Sequence, residues 1–142
     1  MFGLTATSRG FRREFASLEE VFAFLEDFTE VEEVGDREAF CINLVVEELF
    51  TNMVRHNEGG GESIAVTIGR VDDYVHLELV DFDVSPFDPS SAAKVSVTAG
   101  LAERNPGGLG LHIVKTMVDE LTYDYDDENR RMRISVTKRL ER

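Results

Sequence analysis

Two stretches of alternating apolar and polar residues set the strongest limit on the fold. They span residues 63–71 and 74–81 and are separated only by Asp72 and Asp73, so they predict a β-hairpin. Because successive side chains of a strand point to opposite faces, the aliphatic residues lie on one face of this hairpin. That face must be covered by other elements. The aliphatic positions are Ile64, Val66 and Ile68 in the first stretch and Val75, Leu77 and Leu79 in the second.

Helical patterns flank the hairpin. Apolar residues, beginning with Phe40, recur at helical spacing in a helix predicted from about residue 37 to 56, and the three glycines at 59–61 end that helix. A shorter helix is predicted from Ser17 to Phe28, and another from Gly108 to about Leu121. A second hairpin is predicted at residues 122–126 and 131–139. The remaining segments are predicted as two short strand pieces around a turn at 8–10, an acidic loop at 29–36 and a long irregular connection at 82–107.

This element order predicts an α+β fold, a two-layer sandwich with helices on one face of a mixed, mostly antiparallel sheet. The length of 142 residues fits one domain, residues 1–142. The single cysteine, Cys41, allows no internal disulfide and no cysteine metal cage. The sequence has no apolar run of roughly 18 residues and no secretory leader pattern, so a cytoplasmic protein is expected.

The charge balance limits the class of partner. The chain has 15 Lys and Arg residues against 28 Asp and Glu residues, which gives a formal net charge of −13. This disfavours nonspecific nucleic-acid binding, which needs a cationic surface. The acidity is compatible with a protein partner that presents a basic face. Solubility alone is an equally good explanation of the acidity.

Glu48 and Asn52 are four residues apart on the long predicted helix and therefore share one of its faces. An amide oxygen is a hard ligand that suits Mg²⁺, which keeps several waters and bridges phosphates. A carboxylate one turn earlier can orient or deprotonate a hydroxyl group. Taken alone, such a pair is more often part of a solvated helix face.

Two further features have the residue types of a nucleotide site. Glycines at 107, 108 and 110 begin a helix, where backbone N–H groups can approach an anion closely; close packing or a hinge is the alternative. Asp81 ends the second predicted strand, where its carboxylate can accept a hydrogen bond from the exocyclic amine of adenine, or can simply cap a turn. The chain contains no P-loop and no motif set of eukaryotic protein kinases.

The order of these features resembles the GHKL (Bergerat) ATP-binding fold over nearly the whole chain, and in particular the small anti-sigma-factor serine kinases of the RsbW/SpoIIAB type. EELFTNMVRH resembles the family's N-box, and GGLGLHIVKTMVDEL resembles its second glycine box. The resemblance implies that Glu48 is the catalytic base, that Asn52 binds Mg²⁺ and ATP, and that Asp81 reads adenine. It also implies an ATP lid at residues 84–106. Further ATP-binding positions implied by it are Arg104 at the γ-phosphate, Gly107, Gly108, Leu109, Gly110 and Leu111.

The resemblance implies an anti-sigma factor with serine/threonine protein kinase activity, which uses ATP and Mg²⁺ and acts in transcription regulation. Its partners would be a sigma factor and a STAS-domain anti-anti-sigma protein, and a homodimer is compatible with the family. The first glycine box departs from the family pattern D-x-G-x-G, because Asp83 and Ser85 replace both glycines. The alternative is therefore an ATP-sensing or ATP-independent binding module without kinase turnover. The ATP-binding half of a sensor histidine kinase is less favoured, because the sequence begins directly with this domain.

Overall fold

The structure, a computed structural model, describes residues 6–56, 61–82, 84 and 114–141. Within these ranges, five strands form one sheet in the order β1-β2-β3-β5-β4, and every neighbouring pair is antiparallel. The expected α+β fold is confirmed. The elements are β1 (Thr7–Arg12), a short 3-10 helix (Phe15–Ser17), α1 (Leu18–Val31), α2 (Asp36–His56), β2 (Ser63–Val71), β3 (Tyr74–Asp81), β4 (Glu120–Asp126) and β5 (Arg131–Arg139).

The predicted hairpin of β2 and β3 forms with the predicted bounds, and its aliphatic face is the floor of the core. The six alternating aliphatic side chains of these two strands are at most 1% exposed. The pairing places Ile64 opposite Asp81, and Asp81 in turn opposite Met132 of β5. Since side chains alternate along a strand, Asp81 continues the inward-facing series of Val75, Leu77 and Leu79. A carboxylate therefore occupies a position where the pattern calls for an apolar side chain.

Helix α2 covers the sheet. Its bounds agree with the sequence prediction within one residue, and its first turn carries Asp36 and Glu38, which interact favourably with the helix dipole. The prediction placed Phe40 in the apolar series of this helix, but Phe40 is 64% exposed. The buried face lies slightly further round the helix than predicted. Its buried apolar residues are Cys41, Ile42, Val45, Val46, Leu49, Phe50 and Met53.

Two segments near the N-terminus differ from the sequence prediction. Residues 8–10 lie inside the continuous strand β1 because Ser8 and Gly10 pair with Thr67 and Ala65 of β2, so the predicted turn does not form. Helix α1 continues to Val31, which shortens the predicted acidic loop.

The helix predicted at 108–121 has helical backbone at residues 114–117 and ends there. Strand β4 begins at Glu120, so Leu121 belongs to a strand. The pairing of β4 with β5 overrides the helical apolar pattern at this point. Among the described helices, none is both long and apolar enough to cross a membrane.

Two phenylalanines of α2 provide a matched test of the helix orientation. Phe50→Ala removes a side chain with no exposed surface and should lower the free energy of unfolding by about 3–5 kcal/mol. Phe40→Ala should change it by less than about 0.5 kcal/mol, because Phe40 lies largely in solvent. Urea denaturation of both variants measures the difference. Equal losses would contradict the orientation in which α2 buries Phe50 and exposes Phe40.

Candidate functional site

Asn52 lies on the buried side of α2. Its amide nitrogen is hydrogen-bonded, whereas its amide oxygen has no hydrogen-bond partner among the described residues. Its Nδ2 donates a hydrogen bond of 2.7 Å to the backbone carbonyl of Glu48, one turn earlier. Because a carbonyl can only receive a donor, this bond fixes which end of the amide is oxygen. Asn52 is 3% exposed, and its Oδ1 has no hydrogen-bond partner within the described part of the chain. A buried acceptor of this kind costs free energy unless a ligand, water or cation satisfies it.

Glu48 is the half-buried carboxylate one turn before Asn52. Burial raises the pKa of Glu48 above its ordinary value, and the neighbouring charge of Glu47 raises it further, whereas Arg55 lowers it. Burial is the largest of these effects on the pKa, because it disfavours the charged form of a carboxylate. A carboxylate with a raised pKa is a stronger base than an ordinary glutamate. The structure therefore gives Glu48 a property that a proton acceptor needs.

Asp81 is 0% exposed and forms a buried ion pair with Arg13, whose side chain is 9% exposed. The Nη1 of Arg13 donates to Oδ2 of Asp81 at 3.1 Å, and its Nη2 donates to Oδ1. Paired parallel bonds of this kind match the fork of a guanidinium to the two oxygens of a carboxylate. Burial lowers the pKa of Arg13, yet a guanidinium remains charged at neutral pH. The two groups thus compensate each other's charge inside the protein.

Arg13 also connects three parts of the chain. Its Nε donates to the carbonyl of Gly61 at 2.8 Å, and its Nη1 donates to the carbonyl of Met53 at 3.2 Å. Met53 follows Asn52 in α2, and Gly61 lies just before β2. Arg13 therefore brings the end of α2, the entry to β2 and the end of β3 to one place. The site consists of this junction together with the Glu48 and Asn52 turn of α2.

Sequence reasoning missed Arg13, although a signal for it exists. Phe11 is 2% exposed and faces the core from β1, and Arg13 follows two positions later, directly after the end of this strand. The alternation of side chains along β3 places Asp81 inside. A carboxylate predicted to be buried requires a buried cation or a hydrogen-bonding partner. Arg13, directly after β1 and two positions beyond the inward-facing Phe11, is a candidate for this cation.

The chain that follows Asp81 is held against the β4–β5 hairpin. The backbone N–H of Val84 donates to the carbonyl of Arg130 at 3.0 Å, and the hydroxyl of Tyr125 donates to the carbonyl of Val84 at 2.6 Å. Val84 is 3% exposed. Val84, which lies between the two positions where the family's glycines are replaced, is thus buried and fixed to the hairpin.

The other predicted ATP-binding positions lie outside the described residues. These are Arg104, Gly107, Gly108, Leu109, Gly110 and Leu111, and the lid predicted at 84–106 is described only at Val84. Their assigned roles stay predictions. The structure brings Glu48, Asn52 and Asp81 to neighbouring parts of the fold, since Met53 and Asp81 share Arg13.

The donor set fits Mg²⁺ bound partly by phosphate and water. Within the described ranges, no cluster of three His, Cys, Asp or Glu side chains is arranged to hold a metal ion. The open oxygen of Asn52 is the type of hard ligand that Mg²⁺ accepts when substrate phosphates and waters supply the remaining positions. Asn52 is thus the residue of the described site that would hold this ion.

The antiparallel sheet covered by helices and the Glu48–Asn52 turn of α2 agree with the resemblance to the GHKL fold. A family model described as "Histidine kinase-like ATPase domain" matches residues 11–138, and the chain belongs to this family. No curated protein sequence is significantly similar to the chain.

Two solved structures share the fold. A chain of the SiaB–SiaC complex from Pseudomonas aeruginosa aligns with a TM-score of 0.61 and 19% identity, covering 93% of this chain and 88% of its own length. The histidine kinase AdeS of Acinetobacter baumannii aligns with a TM-score of 0.50 and 14% identity, covering 96% of this chain and 68% of its own length. At these identities the likeness concerns the fold.

The Arg13–Asp81 pair should be important for stability. Asp81→Asn or Arg13→Ala alone leaves the other charge buried and should lower the free energy of unfolding by about 3–5 kcal/mol. The double variant should lose less than the sum, because the two side chains interact directly. Urea denaturation of the four proteins measures the coupling. Arg12→Ala is the matched control, since the Arg12 side chain is 85% exposed. Additive losses in the double variant would contradict a direct interaction between Arg13 and Asp81.

Glu48 should make stability depend on pH. Because the pKa of Glu48 is raised in the folded state, the folded protein binds this proton more tightly than the unfolded chain does. The contribution of the proton to stability is complete below the unfolded pKa and is lost as pH rises through the folded pKa. Glu48→Gln should therefore be more stable than wild type at about pH 8, with the gap shrinking toward the unfolded glutamate value of about 4.3. Urea denaturation at several values between about pH 5 and about pH 8 measures the gap. Glu26→Gln, at an exposed position of α1, controls for the loss of one charge, and a constant gap would refute the expectation.

Proposed function

We propose that this chain is a cytoplasmic anti-sigma factor with serine/threonine protein kinase activity. It binds ATP and Mg²⁺, phosphorylates a STAS-domain anti-anti-sigma protein and holds a sigma factor inactive. The proposal depends on the buried oxygen of Asn52, which has no hydrogen-bond partner among the described residues. Asn52 lies one turn after Glu48, in a domain of the histidine kinase-like ATPase family. The proposed partners rest on the resemblance to the RsbW/SpoIIAB type.

Three observations support a protein partner. One neighbour of the same fold was solved as the SiaB–SiaC complex, a complex between two different proteins. The net charge of −13 favours encounter with a partner that presents a basic surface. Exposed Phe15 and Phe40, at 51% and 64%, add apolar surface of the type found in protein interfaces.

The phosphotransfer depends mainly on positioning and on charge compensation. The seryl or threonyl oxygen of the partner forms a bond to the γ-phosphorus while the bond to the bridging oxygen of the leaving ADP breaks. Glu48 accepts the hydroxyl proton, for which its raised pKa suits it. Asn52 presents Oδ1 to Mg²⁺, which supplies positive charge near the phosphates when bound. In this scheme Asp81 accepts a hydrogen bond from the adenine amine.

Phosphate transfer from radiolabelled ATP to a purified STAS-domain partner tests the kinase assignment. Wild type should label the partner in the presence of Mg²⁺. Glu48→Gln should be slower by about a hundredfold or more, since general base catalysis contributes at least that much. Asn52→Ala should raise the Mg²⁺ concentration needed for labelling. Glu26→Gln should behave as wild type, and undiminished transfer by Glu48→Gln would remove Glu48 from the role of base.

A second candidate is an ATP-sensing or ATP-independent binding module. It is favoured by the ion pair of Asp81 with Arg13 and by Asp83 and Ser85 in place of the family's glycines. Calorimetry with Mg-ATP separates the candidates. Binding without phosphotransfer supports a sensor, and absence of binding at millimolar nucleotide supports a pure interaction module.

A further inference from the structure

In the proposed function the carboxylate of Asp81 accepts a hydrogen bond from adenine, yet in the structure this carboxylate is not accessible to a ligand. Both of its oxygens accept hydrogen bonds from Arg13, and the residue has no exposed surface. A ligand amine can reach such a carboxylate only if the groups that cover it move. Arg13 is one of these groups, because its guanidinium lies directly on the carboxylate.

The exchange of partners is unfavourable on chemical grounds. The Arg13 fork provides two charge-assisted bonds, with a charge on each side. An adenine amine is neutral and replaces them with one donor on an uncharged ring. Arg13 would also give up its position between the carbonyls of Gly61 and Met53. Nucleotide binding through Asp81 must therefore overcome the loss of this arrangement.

Space and alternative partners for a displaced Arg13 are present beside it. Arg13 is among the residues that line a surface depression of about 540 Å³. Glu14 and Glu62 line it as well, and their carboxylates can partly compensate a guanidinium that leaves Asp81. Its lining residues are Arg12, Arg13, Glu14, Gly61, Glu62 and Ser63.

We propose that Arg13 sets the nucleotide affinity and base selectivity of this chain, by competing with the amine of a purine nucleotide for Asp81. This inference rests on the proposed function, in which Asp81 faces the base. With Arg13 in place, the chain binds adenine nucleotides weakly and distinguishes them poorly from nucleotides that lack a free 6-amine. Removal of Arg13 takes away this competitor for Asp81, which raises both affinity and selectivity.

Calorimetric titration of the full chain with the Mg²⁺ complexes of ATP and N6,N6-dimethyl-ATP tests the inference. Arg13→Ala should bind ATP at least about tenfold more tightly than wild type, the low end of what a hydrogen bond to a charged group contributes. It should also prefer ATP over the dimethylated analogue by about the same factor, whereas wild type should show less than about a threefold preference. Arg9→Ala, at an exposed position of β1 that does not line this depression, should match wild type.

The outcomes separate this inference from the proposed function. ATP binding of equal strength in wild type and Arg13→Ala leaves the proposed function intact and overturns the inference, as does weaker binding by the variant. ATP binding by the variant alone supports the inference and refutes ATP use by the natural chain. No binding by either overturns both.

A second variant and a wild-type measurement cover the risk that Arg13→Ala does not fold. Arg13→Lys keeps the positive charge but has no fork, so it should bind ATP more tightly than wild type by a smaller factor than Arg13→Ala. Equal or weaker binding by a folded Arg13→Lys overturns the inference. A strong preference of wild type for ATP over the dimethylated analogue overturns it without any variant.

Discussion

The burial of one carboxylate governs the arrangement around the site. Asp81 stands on the inner face of β3, where the strand's alternation otherwise supplies aliphatic side chains to the core. An ionised group at such a position is unfavourable unless it is paired and hydrogen-bonded. Arg13 meets this requirement and, through Gly61 and Met53, also fixes the end of α2 and the entry to β2. One electrostatic requirement thus positions three elements of the fold.

Two polar features of the site differ in how they are compensated. Asp81 has its charge balanced by Arg13 within the chain, whereas the oxygen of Asn52 has no hydrogen-bond partner among the described residues. The Asp81–Arg13 pair is satisfied within the chain. The oxygen of Asn52 instead favours binding of a ligand, a water or a cation. The chain therefore combines a proposed metal-ligand position whose oxygen lacks a partner among the described residues with a proposed base-recognition position whose carboxylate is already paired. This contrast explains why the kinase and the nucleotide-independent module are both candidate functions.

The parts of the fold that depend on local periodicity were predictable, and the parts that depend on pairing were not. The bounds of β2 and β3 followed from strict alternation, and α2 followed from helical spacing and the glycines after it. By contrast, residues 8–10 have the composition of a turn but form strand because β2 pairs with them. The pairing of Leu121 with Val136 likewise replaced a helical pattern. At the site, the spacing of Glu48 and Asn52 was readable, but the partner of Asp81 lies 68 residues away.

That separation also affects the order of folding. Arg13 finds its acceptors 40, 48 and 68 residues further along the chain, so closing this junction requires long loops to be ordered first. Because synthesis proceeds from the N-terminus, the residues of β1 are synthesised well before those of β3. During that interval the guanidinium stays hydrated and opposes burial of the strand end that carries it. The junction is therefore a late event in the assembly of the domain, completed once β3 has been added to the sheet.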